Sequence, residues 1–316
     1  MSLAALTTTI TEQLGRQYGM LTSSGSAALI TALKASGVPS GSEVIMPDIC
    51  CPAVFFAIQF AGYTPVLSDI SLDDFCMNSA QVEPLINEHT SAIIAIHSYG
   101  HYCQISDLHT LAKQHSLVLI EDACLAMGGT YQGKPLGSYG DISIVSFGYD
   151  KIINCNYGGA LVTNNKFFFD NATTLLNTNQ LLQFAPQPSD LAQLTTQLTQ
   201  KLARLAVSVK KRQDNMQYCY ERLAHQHLNL LPLHCDLLYW RLPLLVEKNR
   251  DELISKASEQ GIIITRHYKP LSHLATGIVN PNAEYFNEHI INIFIRPETP
   301  KKQLDDIIGF INEFYR

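Results

Sequence analysis

Residues 91–122 read SAIIAIHSYG HYCQISDLHT LAKQHSLVLI ED, and this stretch decides the class of fold. Its two ends, Ser91–His97 and Leu117–Ile120, are almost wholly apolar, as is typical of strands that are buried on both faces of a sheet. Residues Leu108–His115 between them are predicted to form a helix. A strand, a helix and a second strand at this spacing predict two parallel strands in one sheet.

The same alternation extends to both sides of this stretch. Two helices are predicted before it, and a small-residue loop opens the first of them. Because ligands of such sheets bind at the carboxyl ends of the strands, the polar residues that follow each strand are candidate site residues. The further predictions are helices at residues 24–36 and Pro52–Phe60, and strands at Glu43–Met46, Pro65–Leu67, Ile142–Ser146 and Ala160–Thr163.

The pattern changes near Ser189, which divides the chain into a large domain at residues 1–188 and a second part at 189–316. Residues 180–189 contain two prolines and are predicted to be a loop or linker. Leu191–Leu223 is predicted to be one long amphipathic helix that links to a small C-terminal α+β domain. The elements predicted there are strands at Tyr239–Val246, Ile262–Ile264 and Ile290–Ile295, and helices at Arg250–Glu259 and Lys302–Phe314.

Composition excludes several classes of protein. Hydrophobic residues make up 46% of the 316 residues and charged residues only 16%, so general disorder is excluded. So few charges indicate either a buried subunit interface or a surface rich in uncharged polar residues. The net charge is −6 and no long run of Lys or Arg occurs, so neither nucleic acid nor a membrane surface is an expected partner.

The cysteines and the apolar runs indicate a cytoplasmic protein without a metal site. None of the eight cysteines forms a CxxC pair, so a structural zinc site is not expected, and we expect free thiols in a reducing cytoplasm. No apolar run reaches the roughly 18 residues of a membrane span, and no signal peptide is recognised.

Three short segments of the large domain carry chemistry. In Ser23–Leu29 a loop of small residues opens a helix. Either the free N–H groups at the start of this helix bind an anion, or the loop simply caps the helix. Asp122 ends a buried strand, where its carboxylate serves either a ligand or a helix N-cap. Lys151 lies just past the strand that ends at Ser146, and it is either a surface residue or a buried amine ready to form a Schiff base.

The order of the three segments matches one cofactor. A phosphate loop, a strand-end aspartate and a lysine after a strand are the groups that pyridoxal phosphate needs for its phosphate, its pyridine nitrogen and its aldehyde. The lysine would also carry protons during the reaction.

Several motifs, in the same order, resemble the DegT/DnrJ/StrS family of sugar aminotransferases over most of the chain. The matching segments are Ile45–Pro47, Ala61–Val66, Ala95–Gly100, Leu119–Ala123, Gly137–Asp141, Ser146–Phe147, Lys151, and Arg266–Tyr268 with Pro270.

This resemblance implies the fold, the partners and the activity. The implied fold is α/β, a fold type I transferase of the aspartate aminotransferase type, with a mainly parallel central sheet and a small C-terminal α+β domain. Such proteins are homodimers with both active sites at the interface. They move an amino group from glutamate or glutamine to a keto-sugar, which is attached to a nucleotide, in amino-sugar biosynthesis.

The resemblance also assigns roles to individual residues. Lys151 matches the Schiff-base lysine, and Asp122 matches the partner of the pyridine nitrogen. The implied phosphate ligands are Gly25, Ser26 and Ser146. Cys51 aligns with the aromatic residue that stacks on the cofactor ring in relatives.

The departures from the family pattern cluster at this site. Leu125 stands where relatives have Gln, Cys51 where they have the aromatic residue, and Tyr157 where they have Glu. No Gly-x-Asn-x-Arg segment follows Thr163, although in relatives that segment helps to hold the nucleotide. Either the acceptor is smaller than a nucleotide sugar, or another loop has taken over this role.

Two alternatives to a sugar aminotransferase remain at this point. One is a protein of the same fold with a non-sugar acceptor, and the other is a catalytically degenerate scaffold or regulator, which Leu125, Cys51 and Tyr157 motivate. A sugar dehydratase is disfavoured because Lys151 is present, and a nicotinamide enzyme because no GxGxxG follows an early strand.

Other polar and aromatic residues near these motifs are open to two interpretations. His97 is predicted to be a hydrogen-bonded core histidine rather than a cofactor ligand. Asp150 is predicted to point away from Lys151, because neighbours in an extended stretch face opposite sides. Trp240 is expected in the core and Cys124 beneath the cofactor ring. Arg266–Tyr268 either lines the mouth of the site or only joins two strands.

Overall fold

The structure is a computed structural model that describes residues 2–223, 227–234, 236–275 and 277–316. The described cysteines are free thiols, as expected, whereas Cys235 lies outside the described residues. Within the described ranges, no helix has the length and apolar character that crossing a membrane requires.

The large domain is built on one seven-stranded sheet, with the strand order β1-β9-β8-β5-β4-β2-β3. From β8 to β3 all neighbours are parallel, and β9 alone runs antiparallel to both of its neighbours. The mainly parallel sheet predicted from the sequence is therefore confirmed. The strands are β1 Tyr18–Thr22, β2 Glu43–Pro47, β3 Thr64–Ser68, β4 Thr90–Ile96, β5 Val118–Asp122, the hairpin strands β6 Thr130–Tyr131 and β7 Lys134–Pro135, β8 Ile142–Ser146 and β9 Gly159–Thr163.

Helices cover both faces of this sheet, and β4 illustrates why its sequence is wholly apolar. Ile94 belongs to the core on one face, while its neighbour Ile93 belongs to the core on the other. Successive side chains of a strand point to opposite faces, so a strand covered on both sides must be apolar throughout. The helices are α1 Leu3–Gln13, α2 Gly25–Ala35, α3 Pro52–Phe60, α4 Ser79–Val82, α5 Ile105–Gln114, α6 Lys166–Leu176, α7 Pro188–Leu202, α8 Leu205–Tyr220, α9 Arg250–Glu259, α10 Pro281–His289 and α11 Lys301–Phe314.

A second, antiparallel sheet forms the small α+β unit, in the strand order β10-β11-β13-β12. Its core includes Leu244 and Ile291 from the sheet and Leu304 from α11. Its strands are β10 Leu228–Leu230, β11 Leu242–Val246, β12 Ile264–Thr265 and β13 Ile290–Ile293.

The prediction of a single helix at Leu191–Leu223 is wrong. The chain instead forms α7 and α8, with a break at residues 203–204. The two helices serve different cores: Leu198 of α7 packs with α1 and the large sheet, whereas Met216 and Cys219 of α8 pack in the small unit. The break lets the chain leave one core for the other. The division of the chain at 188/189 stays a prediction.

Candidate active site

A small cavity lies at the carboxyl ends of the parallel strands β2, β4, β5 and β8. The chain runs from β2 to β3 on one side and returns to β4 on the other, which makes this edge a topological switch point, the usual place for a ligand in such a sheet. The cavity is lined by Ile49, Cys50, Cys51, Val54, Ile96, Ser98, Tyr99, Asp122, Cys124, Leu125, Lys151 and Tyr268.

Asp122 lies at the end of β5 with only 6% of its surface exposed. Its Oδ1 accepts a hydrogen bond from the backbone N–H of Cys124 at 2.9 Å. The alternative of a helix N-cap is wrong, because the residues that follow form turns and a bridge instead of a helix. The carboxylate therefore lines the cavity in a fixed orientation, as expected for a residue that serves a ligand.

The start of α2 lies directly behind the cavity wall. A Cβ atom built on Gly25 would stand 2.8 Å from Ser146 Cβ and 3.4 Å from Cys124 Sγ, a separation from Ser146 that no side chain tolerates. Ser24 caps the helix, since its hydroxyl accepts the N–H of Ala27. Capping and anion binding are thus compatible here, because the cap uses the N–H of Ala27 and not those of Gly25 and Ser26.

Ser26 and Ser146 are the other two predicted phosphate ligands. Ser26 is the second residue of α2 and is partly exposed. Ser146 ends β8, and its hydroxyl accepts the N–H of Gly148 at 3.3 Å. Gly25 thus lies against Ser146 and directly precedes Ser26, so the three sequence-predicted phosphate ligands lie near one another at the start of α2, beside the cavity.

Lys151 is partly buried and lines the cavity, which favours the interpretation of a functional amine over a surface lysine. Asp150 faces away, as predicted, and its carboxylate lies 2.8 Å from Arg241 and 2.9 Å from Arg296. The predicted reason is wrong, however. Asp150 has a φ of 56°, so a left-handed turn and not an extended backbone separates the two side chains.

Three thiols, those of Cys50, Cys51 and Cys124, surround the cavity. Burial raises the pKa of Cys50 and of Cys124 well above the ordinary value, and the nearby carboxylate of Asp122 raises both further. Cys50 and Cys124 are therefore neutral packing groups, and neither is a nucleophile. Leu125 also lines the cavity.

Tyr157 lies elsewhere. Its hydroxyl accepts the N–H of Gln187 at 3.0 Å, and its ring packs on the core that includes α7. Of the three departures from the family pattern, Cys51 and Leu125 therefore alter the cavity itself, while Tyr157 tethers the start of α7.

His97 is a core histidine, as predicted. It is fully buried, its Nε2 lies 3.0 Å from Glu121 Oε1, and its Nδ1 accepts the backbone N–H of Cys103. Burial alone would raise the pKa of Glu121, but hydrogen bonds from His97 and from the backbone of Gly137 and Gly140 lower it to about 2. Glu121 and His97 are thus a structural pair.

Two tyrosines complete the cavity. Tyr268 lines it, so the mouth interpretation holds for this residue, whereas Arg266 is exposed and pairs with Asp251. Sequence reasoning missed Tyr99, which has a φ of 57° and whose hydroxyl donates to the carbonyl of His267. The signal was present, because Tyr99 lies three residues beyond the end of a strand that ends at this edge.

The family model described as the DegT/DnrJ/EryC1/StrS aminotransferase family matches residues 2–312. A relative from Escherichia coli, named GDP-perosamine synthase, is 30% identical over 321 residues, which cover 96% of this chain and 87% of the relative. A second relative, L-glutamine:scyllo-inosose aminotransferase of Streptomyces griseus, is 37% identical over 142 residues, which cover 45% of this chain and 34% of the relative.

A solved structure matches almost the whole chain. It is the X-ray crystal structure of S. venezuelae DesV in complex with a ketimine intermediate. The TM-score is 0.91 at 25% identity, and the match covers 99% of this chain and 89% of that chain. The type I fold expected from the sequence is therefore confirmed.

Proposed function

The chain belongs to the DegT/DnrJ/EryC1/StrS aminotransferase family, and we propose that it moves an amino group from glutamate or glutamine to a keto-sugar in amino-sugar biosynthesis. The cofactor in this proposal is pyridoxal phosphate, held at Lys151. The observation that carries it is that Lys151 and Asp122 line one cavity at the switch point of the sheet, while Gly25 at the start of α2 lies against Ser146 and Cys124 behind the wall of that cavity.

The residues present fit that cofactor. The amine of Lys151 and the carboxylate of Asp122 line one cavity, which are the groups that the aldehyde and the ring nitrogen of the cofactor require. The contact of Gly25 with Ser146 leaves no room for a side chain, so backbone N–H groups can approach a phosphate closely.

Bound pyridoxal phosphate supplies an electron sink, which allows a proton to leave the α-carbon of an amino acid and an amino group to be transferred. The chain's own residues supply the rest. Lys151 holds the cofactor through its amine and then moves protons. Asp122 holds a proton at the ring nitrogen, and the N–H of Cys124 orients its carboxylate.

Phosphate binding falls to the N–H groups of Gly25 and Ser26 and to the hydroxyl of Ser146. The positive end of the dipole of α2 favours an anion at this position. The apolar wall formed by Leu125, Tyr99 and Tyr268 limits the access of water, which strengthens the charge interactions inside.

A nucleotide-linked keto-sugar is the acceptor that we favour. The Escherichia coli relative, which matches 96% of this chain, is named for a GDP-linked sugar. A second candidate is a ketone without a nucleotide, because α6 begins at Lys166, only three residues after the end of β9, and no Gly-x-Asn-x-Arg segment follows Thr163. The name of the Streptomyces griseus relative, which includes no nucleotide, supports this candidate.

The proposal includes a homodimer with the active sites at its interface. Phe56 and Phe60 of α3 are 54% and 68% exposed, and Tyr149, close to Lys151 in the chain, is 78% exposed. Because α3 begins at the cavity, burial of these rings by a second copy would also close the site. The expected cytoplasmic location stays a prediction.

The test is the visible absorption of the purified protein with pyridoxal phosphate, before and after glutamate is added. We expect a band of the lysine-bound cofactor that glutamate bleaches and a keto-sugar nucleotide restores. Lys151→Ala should lack the band. A band that neither glutamate nor glutamine changes would contradict an aminotransferase and favour a degenerate scaffold.

A further inference from the structure

Asp150, the residue before Lys151, is held by the small unit of the protein at three points. Its carboxylate oxygens lie 2.8 Å from Arg241 and 2.9 Å from Arg296, and its backbone carbonyl accepts the indole N–H of Trp240 at 2.6 Å. Within the described ranges, the side chain of Lys151 itself makes no hydrogen bond or ion pair. The backbone before it is thus fixed from outside the large domain.

The arginine that receives Asp150 is itself immobilised. The guanidinium of Arg241 lies between two rings, 3.9 Å from the centroid of Trp240 and 4.0 Å from that of Phe294. Its NH1 lies 3.2 Å from His267 Nδ1, and burial together with Arg241 lowers the pKa of His267. A neutral His267 accepts this hydrogen bond, so Arg241 meets Asp150 in one orientation.

A second buried arginine fixes the two segments that carry these partners. Arg212 of α8 donates to the carbonyl of Trp240 at 3.1 Å and to the carbonyl of Ile295 at 2.9 Å. These carbonyls directly precede Arg241 and Arg296 in the chain. The groups that hold Asp150, which are Arg241, Arg296 and Trp240, therefore belong to the hydrogen-bond network of the small unit, whereas Asp150 itself belongs to the large domain.

We propose that Asp150 is a positioning residue, which sets the place of the Lys151 amine in the cavity by anchoring the backbone before it to Arg241, Arg296 and Trp240. This inference rests on the proposed function. Its physical basis is that the left-handed turn at Asp150 has no glycine to stabilise it, so the conformation persists because these contacts hold it. A displaced amine binds the cofactor more weakly and transfers protons more slowly.

The chain offers a matched control in Asp251, an aspartate that also contacts two arginines. Its Oδ1 lies 2.9 Å from Arg250 and 2.9 Å from Arg266, but its side chain is 69% exposed and it is not among the residues that line the cavity. Asp150→Asn and Asp251→Asn therefore remove the same charge in two different settings.

The experiment compares both variants with the wild type in three measurements: affinity for pyridoxal phosphate from the visible band, the rate at which glutamate bleaches that band, and thermal unfolding without cofactor. We expect Asp150→Asn to lower cofactor affinity about tenfold and the bleaching rate between about tenfold and a hundredfold. The KM for glutamate should change far less. Asp251→Asn should match the wild type in the first two measurements.

Because Asp150→Asn leaves a buried guanidinium without its counter-charge, Trp240→Phe serves as a second variant. It removes the N–H that holds the Asp150 carbonyl and keeps an aromatic ring at the site. We expect about a fivefold slower bleaching rate in a folded protein. Unchanged affinity and rate in Trp240→Phe would overturn the inference even if Asp150→Asn does not fold.

Two further outcomes separate this inference from the proposed function. A folded Asp150→Asn that matches Asp251→Asn in affinity and rate would overturn the inference alone. A wild-type protein that takes up no pyridoxal phosphate would overturn the proposed function and the inference with it.

Discussion

Glu121 and Asp122 are consecutive residues of β5, yet their carboxylates lie in different surroundings. Glu121 is fully buried and both of its oxygens accept several hydrogen bonds, whereas Oδ1 of Asp122 accepts the backbone N–H of Cys124 and the residue lines the cavity. The comparison teaches that a carboxylate surrounded by donors is part of the structure, while one with a spare oxygen can serve a ligand. The groups that donate to Glu121 or pair with it are His97, Gly137, Tyr139, Gly140, Ser143 and Arg16.

The alternation of the strand produces this difference. Adjacent side chains of β5 point to opposite faces of the sheet, so Glu121 meets the 137–140 turn while Asp122 meets the cavity. Glu121 holds this turn against the sheet, and Gly140 fits there because a Cβ on it would lie 2.8 Å from Glu121 Cβ. One strand thus supports the structure on one face and the chemistry on the other.

The largest expected effect is the loss of reaction rate on substitution of Asp122. Asp122→Asn should lower the rate of the glutamate half-reaction between about a hundredfold and a thousandfold, because an amide cannot hold a proton at the ring nitrogen electrostatically. The free energy of unfolding of the protein without cofactor should stay close to that of the wild type. The measurement is stopped-flow bleaching of the visible band at saturating cofactor, and a loss below tenfold would contradict the role given to Asp122.

Glu121→Gln should have the opposite profile. The substitution leaves His97 and the buried Arg16 without the carboxylate of Glu121, so we expect the free energy of unfolding to fall by about 3 kcal/mol. The bleaching rate of the folded protein should change by less than about threefold, since Glu121 does not line the cavity. Urea denaturation followed by circular dichroism measures the first quantity. A large rate loss with unchanged stability would reverse the comparison.

The pH dependence of this difference is a separate check. The pKa of Glu121 is lowered from 4.5 to about 2 in the folded protein, so the ionised form stabilises the fold above pH 4.5, and this contribution is lost as the pH falls toward 2. The gap in unfolding free energy between wild type and Glu121→Gln should therefore shrink across this window. A gap that stays constant from pH 7 to pH 3 would show that the charge of Glu121 is unimportant.

The smallest expected effect is a change in cofactor affinity on substitution of Leu125, which lies in the cavity wall near Asp122. Leu125→Gln adds an amide to the Asp122 side, where relatives have this residue, and we expect about fivefold tighter binding of pyridoxal phosphate, the value of one hydrogen bond. Without cofactor the buried amide lacks its partner, so stability should fall by about 1 kcal/mol. Titration of the visible band measures the affinity, with Leu136→Gln, which lies in the core away from the cavity, as the matched control. Equal affinities in wild type and Leu125→Gln would remove any role for this position.

Much of this protein follows from its sequence alone. Periodicity predicted the parallel sheet and its helices, because a strand covered on both faces must be apolar throughout, as β4 is. The order of Gly25, Asp122 and Lys151 predicted a cofactor site, since Asp122 ends a strand, Gly25 and Lys151 lie three and five residues beyond the end of one, and the carboxyl ends of parallel strands share one edge.

Tertiary structure decided what the local pattern cannot contain. The break between α7 and α8 depends on two separate cores, which exist only in the folded chain. The difference between Glu121 and Asp122 depends on which donors reach each face of β5, and the 137–140 turn supplies them only in the folded chain. Asp150 meets Arg241 and Arg296, 91 and 146 residues further along the chain, and no local signal records a contact over such separations.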